Sequence, residues 1–246
     1  MQFQDKVVLV TGGSSGLGLA IAQELAGQGA TVVITGRRQK QLDEALSKLG
    51  ERASAVVADV SVIADLAVLF DAIKARHGRI DVLVANAGMG EIAPLGSITE
   101  AYFDRVFSTN VKGVTFTVQG ALPLMGKGSS VVIIGSTASI DPGPGLSVYG
   151  ATKAALRTLV RSWMLDIKGS GVRINLLSPG PVDTPSLRQM LAEHAEAVIE
   201  SLSEKSTIGR IGQAHEIGAA VAFLASDAAS YINGVELFAD GGASQC

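Results

Sequence analysis

The chain has 246 residues, of which 47% are apolar and 17% charged, and its net charge is −3. That balance excludes a disordered chain and gives no basic field for nucleic acid or an acidic membrane surface, which leaves a small molecule as the expected partner. With Cys246 its only cysteine, no signal peptide at the start and no apolar run of about 18 residues, the chain reads as a soluble cytoplasmic protein without an intramolecular disulfide.

In chain order, seven short apolar runs rich in β-branched residues predict strands: KVVLVT (6–11), TVVITG (31–36), SAVVAD (54–59), DVLVAN (81–86), SVVIIG (130–135), VRINLLS (172–178) and VELFAD (235–240). They are apolar throughout instead of alternating, as strands covered on both faces must be, which indicates a parallel sheet. The stretches between them, such as 17–30 and 62–78, repeat apolar residues at helical spacing and stop at glycine. Right-handed crossovers then build a single α/β domain with a doubly wound Rossmann fold, a seven-stranded parallel sheet flanked by helices. The least regular stretch, about 181–210, is a polar-flanked helical insertion between the last two strands, placed to act as a lid over a substrate.

After the first strand comes VTGGSSGLG, with Gly12, Gly16 and Gly18 at the turn and Ser14, Ser15 and Leu17 between them. Strand, glycines and helix in that order form a dinucleotide site, because a helix start offers unpaired N–H groups and a positive dipole end to a pyrophosphate. The spacing is GxxxGxG, not the commoner GxGxxG. About twenty residues on, where a carboxylate would hold a ribose 2′-hydroxyl, stand Gly36, Arg37 and Arg38. Guanidinium groups grip a 2′-phosphate that a carboxylate would repel, so NADPH/NADP+ is the expected cofactor.

In LSVYGATKAALRTL (146–159), Tyr149 and Lys153 are four residues apart and share one helix face. A lysine there would lower the pKa of the phenol by favouring tyrosinate. The pair alone also fits an idle surface contact.

Taken together, TGGSSGLG (11–18), Asp59 with Val60, NAG (86–88), Asn110 in STNVKG, Ser136 in IIGSTAS, YGATK (149–153), PGPVDT (179–184) and the final NGVELFADGG resemble the short-chain dehydrogenase/reductase family. The likeness runs over almost the whole chain. GRR, FTVQGALPLM and GVELFADGG also look like its NADPH-dependent alcohol dehydrogenase and ketone reductase branch. The resemblance implies a catalytic tetrad of Asn110, Ser136, Tyr149 and Lys153. In it Tyr149 is the acid, Lys153 tunes it and bonds the nicotinamide ribose, Ser136 holds the carbonyl oxygen, and Asn110 fixes a water that relays protons to Lys153. It further implies an adenine-binding pair in Asp59 and Val60 and a supporting segment in Asn86, Ala87 and Gly88. Pro179, Gly180, Val182 and Thr184 would hold the nicotinamide carboxamide. Ala85 and Leu17 depart from the commonest residues of the family without touching the chemistry.

Met89, Glu91, Ile140, Leu146, Leu187 and Met190 fall where substrate pockets of the family are lined, beside Ser136 and Tyr149. His77, His194 and His215 lack metal-ligand spacing, so no catalytic metal is expected. The resemblance also implies a homotetramer, with one interface on long helices including 99–127 and 147–168 and another on the last helix and strand. The tail ending at Cys246 would then lie near a neighbouring subunit's pocket. The expected activity is NADPH-dependent reduction of a ketone, reversible as oxidation of a secondary alcohol. A 3-oxoacyl-acyl-carrier-protein reductase shares every motif but calls for a basic patch that the net charge does not support. A noncatalytic dinucleotide-sensing protein would be free to lose part of the tetrad, and all four members are present.

Overall fold

A computed structural model describes residues 1–191 and 195–245. Seven parallel strands form one sheet: β1 (Val7–Thr11), β2 (Thr31–Gly36), β3 (Ala53–Val57), β4 (Val82–Ala85), β5 (Ser130–Ile134), β6 (Arg173–Pro179) and, after a two-stranded excursion, β9 (Glu236–Ala239). Their order across the sheet is β3-β2-β1-β4-β5-β6-β9, and the register of neighbours such as Val8 with Val32 and Val82 is parallel. Each strand predicted from an apolar run is found within two residues of its expected ends.

Both faces of the sheet are covered, which explains runs without alternation. Val8, Val10, Val82, Val84, Val132 and Ile134 point into one core beneath α1 (Gly16–Gly27), α2 (Gln39–Leu49) and α9 (Ala214–Ala225). Their neighbours Leu9, Leu83, Val131 and Ile133 point into a second core beneath α3 (Ile63–His77), α5 (Val114–Ala121) and α6 (Ser147–Asp166). Successive side chains of a strand alternate between faces, so a two-sided burial demands an apolar residue at every position.

The strand order reverses between β1 and β4, and a crevice opens at the carboxyl ends of these strands. The helix expected over 99–127 is not continuous. It is α4 (Glu100–Phe107), then a π-helical segment (Ser108–Gly113), then α5 and a short 3₁₀ turn (Leu122–Leu124). Between β6 and β9, residues Val182–Asp183 (β7) pair with Gly212–Gln213 (β8), and α7 (Pro185–Leu191) and α8 (Ala195–Lys205) fill most of the predicted insertion. No helix of the described residues is long and apolar enough to cross a membrane.

Candidate active site

The glycine loop is built by close approach. Gly12 has φ +66°, a conformation that glycine adopts without penalty, and a Cβ on Gly18 would lie 2.2 Å from the Gly12 carbonyl oxygen. Asn86 Nδ2 donates to the carbonyls of Thr11 (2.9 Å) and Gly12 (3.3 Å), and Thr11 Oγ1 accepts from the N–H groups of Asn86 and Ala87, both at 3.0 Å. The ends of β1 and β4 are thereby locked together under the loop. Ser15 stands at the N-cap of α1, yet its hydroxyl makes no capping bond, so the first-turn N–H groups have no acceptor from that side chain. A tight glycine cradle leading to a helix start without a side-chain cap fits a dinucleotide pyrophosphate. Leu17 is half-buried and packs on the core beneath α1.

Across from this loop, Thr184 Cβ is the nearest atom, at 3.9 Å, to a Cβ built on Gly16. The Pro179–Thr184 segment therefore faces the glycines. Val182 is buried in the β7–β8 pair, and Thr184 Oγ1 accepts from Leu187 N (3.2 Å) to start α7. At the far end Arg37 and Arg38 are exposed and join no ion pair among the described residues. Gly36 closes β2 beside Ser14. Asp59 Oδ1 accepts from Ser61 N (2.9 Å) and Ser61 Oγ (2.7 Å), which shapes the turn after β3, and Val60 is buried next to it.

The four tetrad residues converge at the carboxyl ends of β4 and β5. Tyr149 and Lys153 occupy the first two turns of α6, with Lys153 Nζ 5.6 Å from the centroid of the Tyr149 ring. A Cβ on Gly90 would lie 2.6 Å from Tyr149 Cδ2, so this glycine lets the ring pack flat against the segment after β4. Ser136 begins the 3₁₀ turn Thr137–Ser139, and its Oγ accepts from Ala138 N at 3.2 Å. Burial pushes the Tyr149 phenol up from its ordinary pKa, and a hydrogen bond with Ser136 pulls it the other way.

Lys153 is itself shielded from water. It is only 4% exposed, and burial lowers its own pKa to about 8. Its ammonium donates to the Ile134 carbonyl at 2.8 Å and lies 5.6 Å from the centroid of the Tyr149 ring. Desolvation disfavours the charged form of both groups.

Asn110, fully buried in the π-helical segment, has its side chain engaged. Its Oδ1 accepts from Met89 N (2.9 Å), and its Nδ2 donates to the Met89 carbonyl (2.8 Å) and to Thr152 Oγ1 (3.0 Å). Thr152 in turn donates to the Tyr149 carbonyl at 2.7 Å. Asn110 thus joins the segment after β4 to the helix that carries Tyr149. Gly88 lies between the two polar groups, since its ideal Cβ would be 3.4 Å from Asn110 Oδ1 and 3.6 Å from Lys153 Nζ. Val114 N donates to the Val111 carbonyl, not to that of Asn110 four residues back.

Sequence reasoning missed Thr11, Gly90 and Thr152 as supports of the site. Thr11 and Thr152 lie inside the motifs already singled out, and asking what each motif's hydroxyls bond would have found them.

Of the residues proposed to line a substrate pocket, Met89 packs against Tyr102, Val106 and Val148. Glu91 turns its carboxylate to Arg105 at 3.6 Å, an exposed pair, while its carbonyl accepts from Tyr102 Oη at 2.8 Å. Ile140 is exposed, Leu146 precedes α6, and Leu187 and Met190 are half-buried on α7. Among the described residues no group of His, Cys, Asp and Glu converges to hold a metal ion. His77 ends α3 and His215 lies at the start of α9, while His194 and Cys246 lie outside the described residues.

A doubly wound sheet with a crevice at its switch point, and a half-buried tyrosine and a buried lysine on one helix beside it, has the build of a nucleotide-dependent oxidoreductase. The sequence model of the family described as Enoyl-(Acyl carrier protein) reductase matches residues 12–244. Oxidoreductase asL5 of Sarocladium schorii is 43% identical over 98% of this chain and 96% of its own, and tropinone reductase-like 3 of Erythroxylum coca is 38% identical over 98% and 94%. The structure of a short chain dehydrogenase from Burkholderia cenocepacia J2315 in complex with NADP superposes with a TM-score of 0.91 at 33% identity, covering 99% of each chain. The chain belongs to the short-chain dehydrogenase/reductase family of oxidoreductases.

Proposed function

We propose that the chain reduces a ketone with NADPH and, in reverse, oxidises a secondary alcohol. The observation that carries this reading is the convergence of Ser136, Tyr149 and Lys153 at the open end of the sheet, with Ser136 hydrogen-bonded to the phenol. The bound coenzyme supplies the hydride to the carbonyl carbon. Tyr149 Oη gives its proton to the carbonyl oxygen as that oxygen becomes an alkoxide, and Ser136 Oγ donates a hydrogen bond to the same oxygen. Lys153, positively charged below about pH 8, would stabilise the tyrosinate that remains and, with the coenzyme bound, would hold the nicotinamide ribose. A water bringing the replacement proton would rest on the Asn110 main-chain carbonyl, because the Asn110 amide is engaged by Met89 and Thr152. Asp59, Val60 and the 86–88 segment would hold the adenosine, and Pro179, Gly180, Val182 and Thr184 the carboxamide.

Arg37 and Arg38 favour NADPH, as does the likeness to a neighbour in complex with NADP. Gly36→Asp tests this. The new Cβ would lie 3.2 Å from Ser14 Oγ, a rotatable hydroxyl that can yield. The carboxylate repels a 2′-phosphate and accepts from a free 2′-hydroxyl, so kcat/KM should move toward NADH by about tenfold or more. A wild-type protein that already prefers NADH would refute the coenzyme assignment.

The activity itself is tested by following nicotinamide absorbance with acetophenone, cyclohexanone, 2-octanone, an acetoacetyl thioester and polyols. Turnover of ketones supports the reading. Turnover of the thioester alone would favour the 3-oxoacyl-acyl-carrier-protein reductase alternative.

The lid is proposed for the α7–α8 excursion. Its start is fixed by Thr184 and its end by Ser206 and Thr207, whose hydroxyls donate to the Gly241 carbonyl at 3.1 and 2.8 Å. Arg188 bridges Asp183 and Glu196 across it.

A homotetramer is proposed from the exposed apolar residues on the helices expected to pair. Phe103 stacks on Phe107 at 4.5 Å while remaining exposed, Leu165 is exposed on α6, and Tyr231 is exposed a few residues before the last strand. Light scattering should give about four chain masses, and a stable, fully active monomer would overturn the assembly. A role for the tail in a neighbour's pocket is tested by deleting the last residues, which should change KM for bulky ketones more than for NADPH.

A further inference from the structure

Behind the Ser136 turn, at the edge of the sheet, lies a polar cluster to which the family resemblance assigns no role, although Ser139 ends IIGSTAS and Glu236 falls within NGVELFADGG. Glu236 opens β9, and its side chain is 11% exposed. Its Oε1 accepts from Ser178 Oγ at 2.8 Å and from Ser139 Oγ at 3.2 Å, and its Oε2 pairs with Arg157 Nε. Each partner belongs to a different part of the site. Ser139 ends the turn that Ser136 begins. Arg157 lies on α6, one turn beyond Lys153 and two beyond Tyr149, so all three share a face. Ser178 precedes Pro179, where the proposed carboxamide segment begins, and Leu177 next to it accepts from Gly135 N at 2.7 Å.

We propose that Glu236 is a positioning residue of the ketone reduction, a carboxylate that holds the Ser136 turn, helix α6 and the end of β6 in one register. This rests on the reading of Ser136 and Tyr149 given above. A shielded carboxylate that accepts from two hydroxyls and pairs by charge with a guanidinium is held more firmly than one among neutral groups, and burying it is tolerable because the opposite charge lies beside it. A glutamine keeps the oxygen that accepts from the serines but turns an NH₂ group toward Arg157. An alanine removes all three ties. Either change lets the Ser136 hydroxyl drift from Tyr149, which raises the phenol's pKa by weakening the bond that lowers it, with Lys153 the charged group packed on the same ring.

The test compares wild type, E236Q, E236A, S139A and S136A in both directions, using the ketone of the panel turned over fastest and its alcohol. For E236A, kcat should fall by about tenfold or more, the scale of a sub-ångström to ångström misplacement. NADPH affinity, measured by quenching of protein fluorescence, should stay within about twofold, since the pyrophosphate cradle is untouched. The rising, acid-side limb of alcohol oxidation, which needs the deprotonated phenol, should move to higher pH, as in S136A. E236Q and S139A should show smaller changes of the same kind, and they carry the test if E236A does not fold.

Wild-type kcat and an unmoved limb in E236A or E236Q would overturn the proposal. So would a loss of kcat accompanied by an equal loss of NADPH affinity with the limb unmoved, the mark of general damage. If S136A turns over normally, or no ketone is reduced by the wild type, the ketone reductase reading fails first, and that result is separable from failure of Glu236 alone.

Discussion

Tyr149→Phe lowers ketone reduction by at least about a hundredfold, the scale set by a positioned general acid, while NADPH binds as before. Phenylalanine preserves the ring that packs over Gly90 and under Lys153, so the variant subtracts the transferable proton and little else. The buried phenol of the wild type stays protonated well above neutrality, so reduction has its acid available at working pH. Steady-state rates at saturating coenzyme, with coenzyme affinity measured separately, check the result. Near-normal turnover in a folded variant would remove Tyr149 from the chemistry.

Lys153→Met should affect activity and stability in opposite directions. A lysine whose pKa falls to about 8 on folding places a charge where burial disfavours it. That lowering acts against the fold on the order of a few kcal/mol, fully felt below about pH 8 and gone above about pH 10.5, where the unfolded chain is neutral as well. Methionine fills the same space without charge but leaves the Ile134 carbonyl unpaired, a loss of about 1 to 2 kcal/mol. The desolvation effect is the larger. At pH 7 the variant should gain about 1 to 2 kcal/mol, or several degrees in Tm, while reduction falls by about a hundredfold. The wild type should grow more stable between pH 8 and 10 and the variant should not. A variant less stable than wild type at pH 7 would show that the ammonium's bond to Ile134 outweighs its desolvation.

The sheet was legible because two-sided burial writes itself into the strands as unbroken apolar runs, Val8 to Val10 and Val131 to Ile134 among them. The phosphate loop was legible for a similar reason, since Gly12 and Gly18 are imposed by backbone conformation and contact. The break in the 99–127 helix was not legible. Its π-helical segment includes no proline, and its only glycine, Gly113, ends it, so no local stop signal marks the altered winding that buries Asn110. The direction in which Lys153 points was equally hidden, because its bond runs to a main-chain carbonyl on β5. Glu236 and Ser139 are 97 residues apart, and no spacing rule reaches across that distance.

The most direct measurement supplies NADPH carrying deuterium at the transferable C4 position and identifies the alcohol formed from the preferred ketone by mass spectrometry. Tyr149-assisted hydride transfer predicts an alcohol with one deuterium on the carbinol carbon in the wild type and a strongly reduced yield of that same labelled product from Tyr149→Phe. An alcohol without deuterium, or equal labelled yields from both proteins, would contradict it.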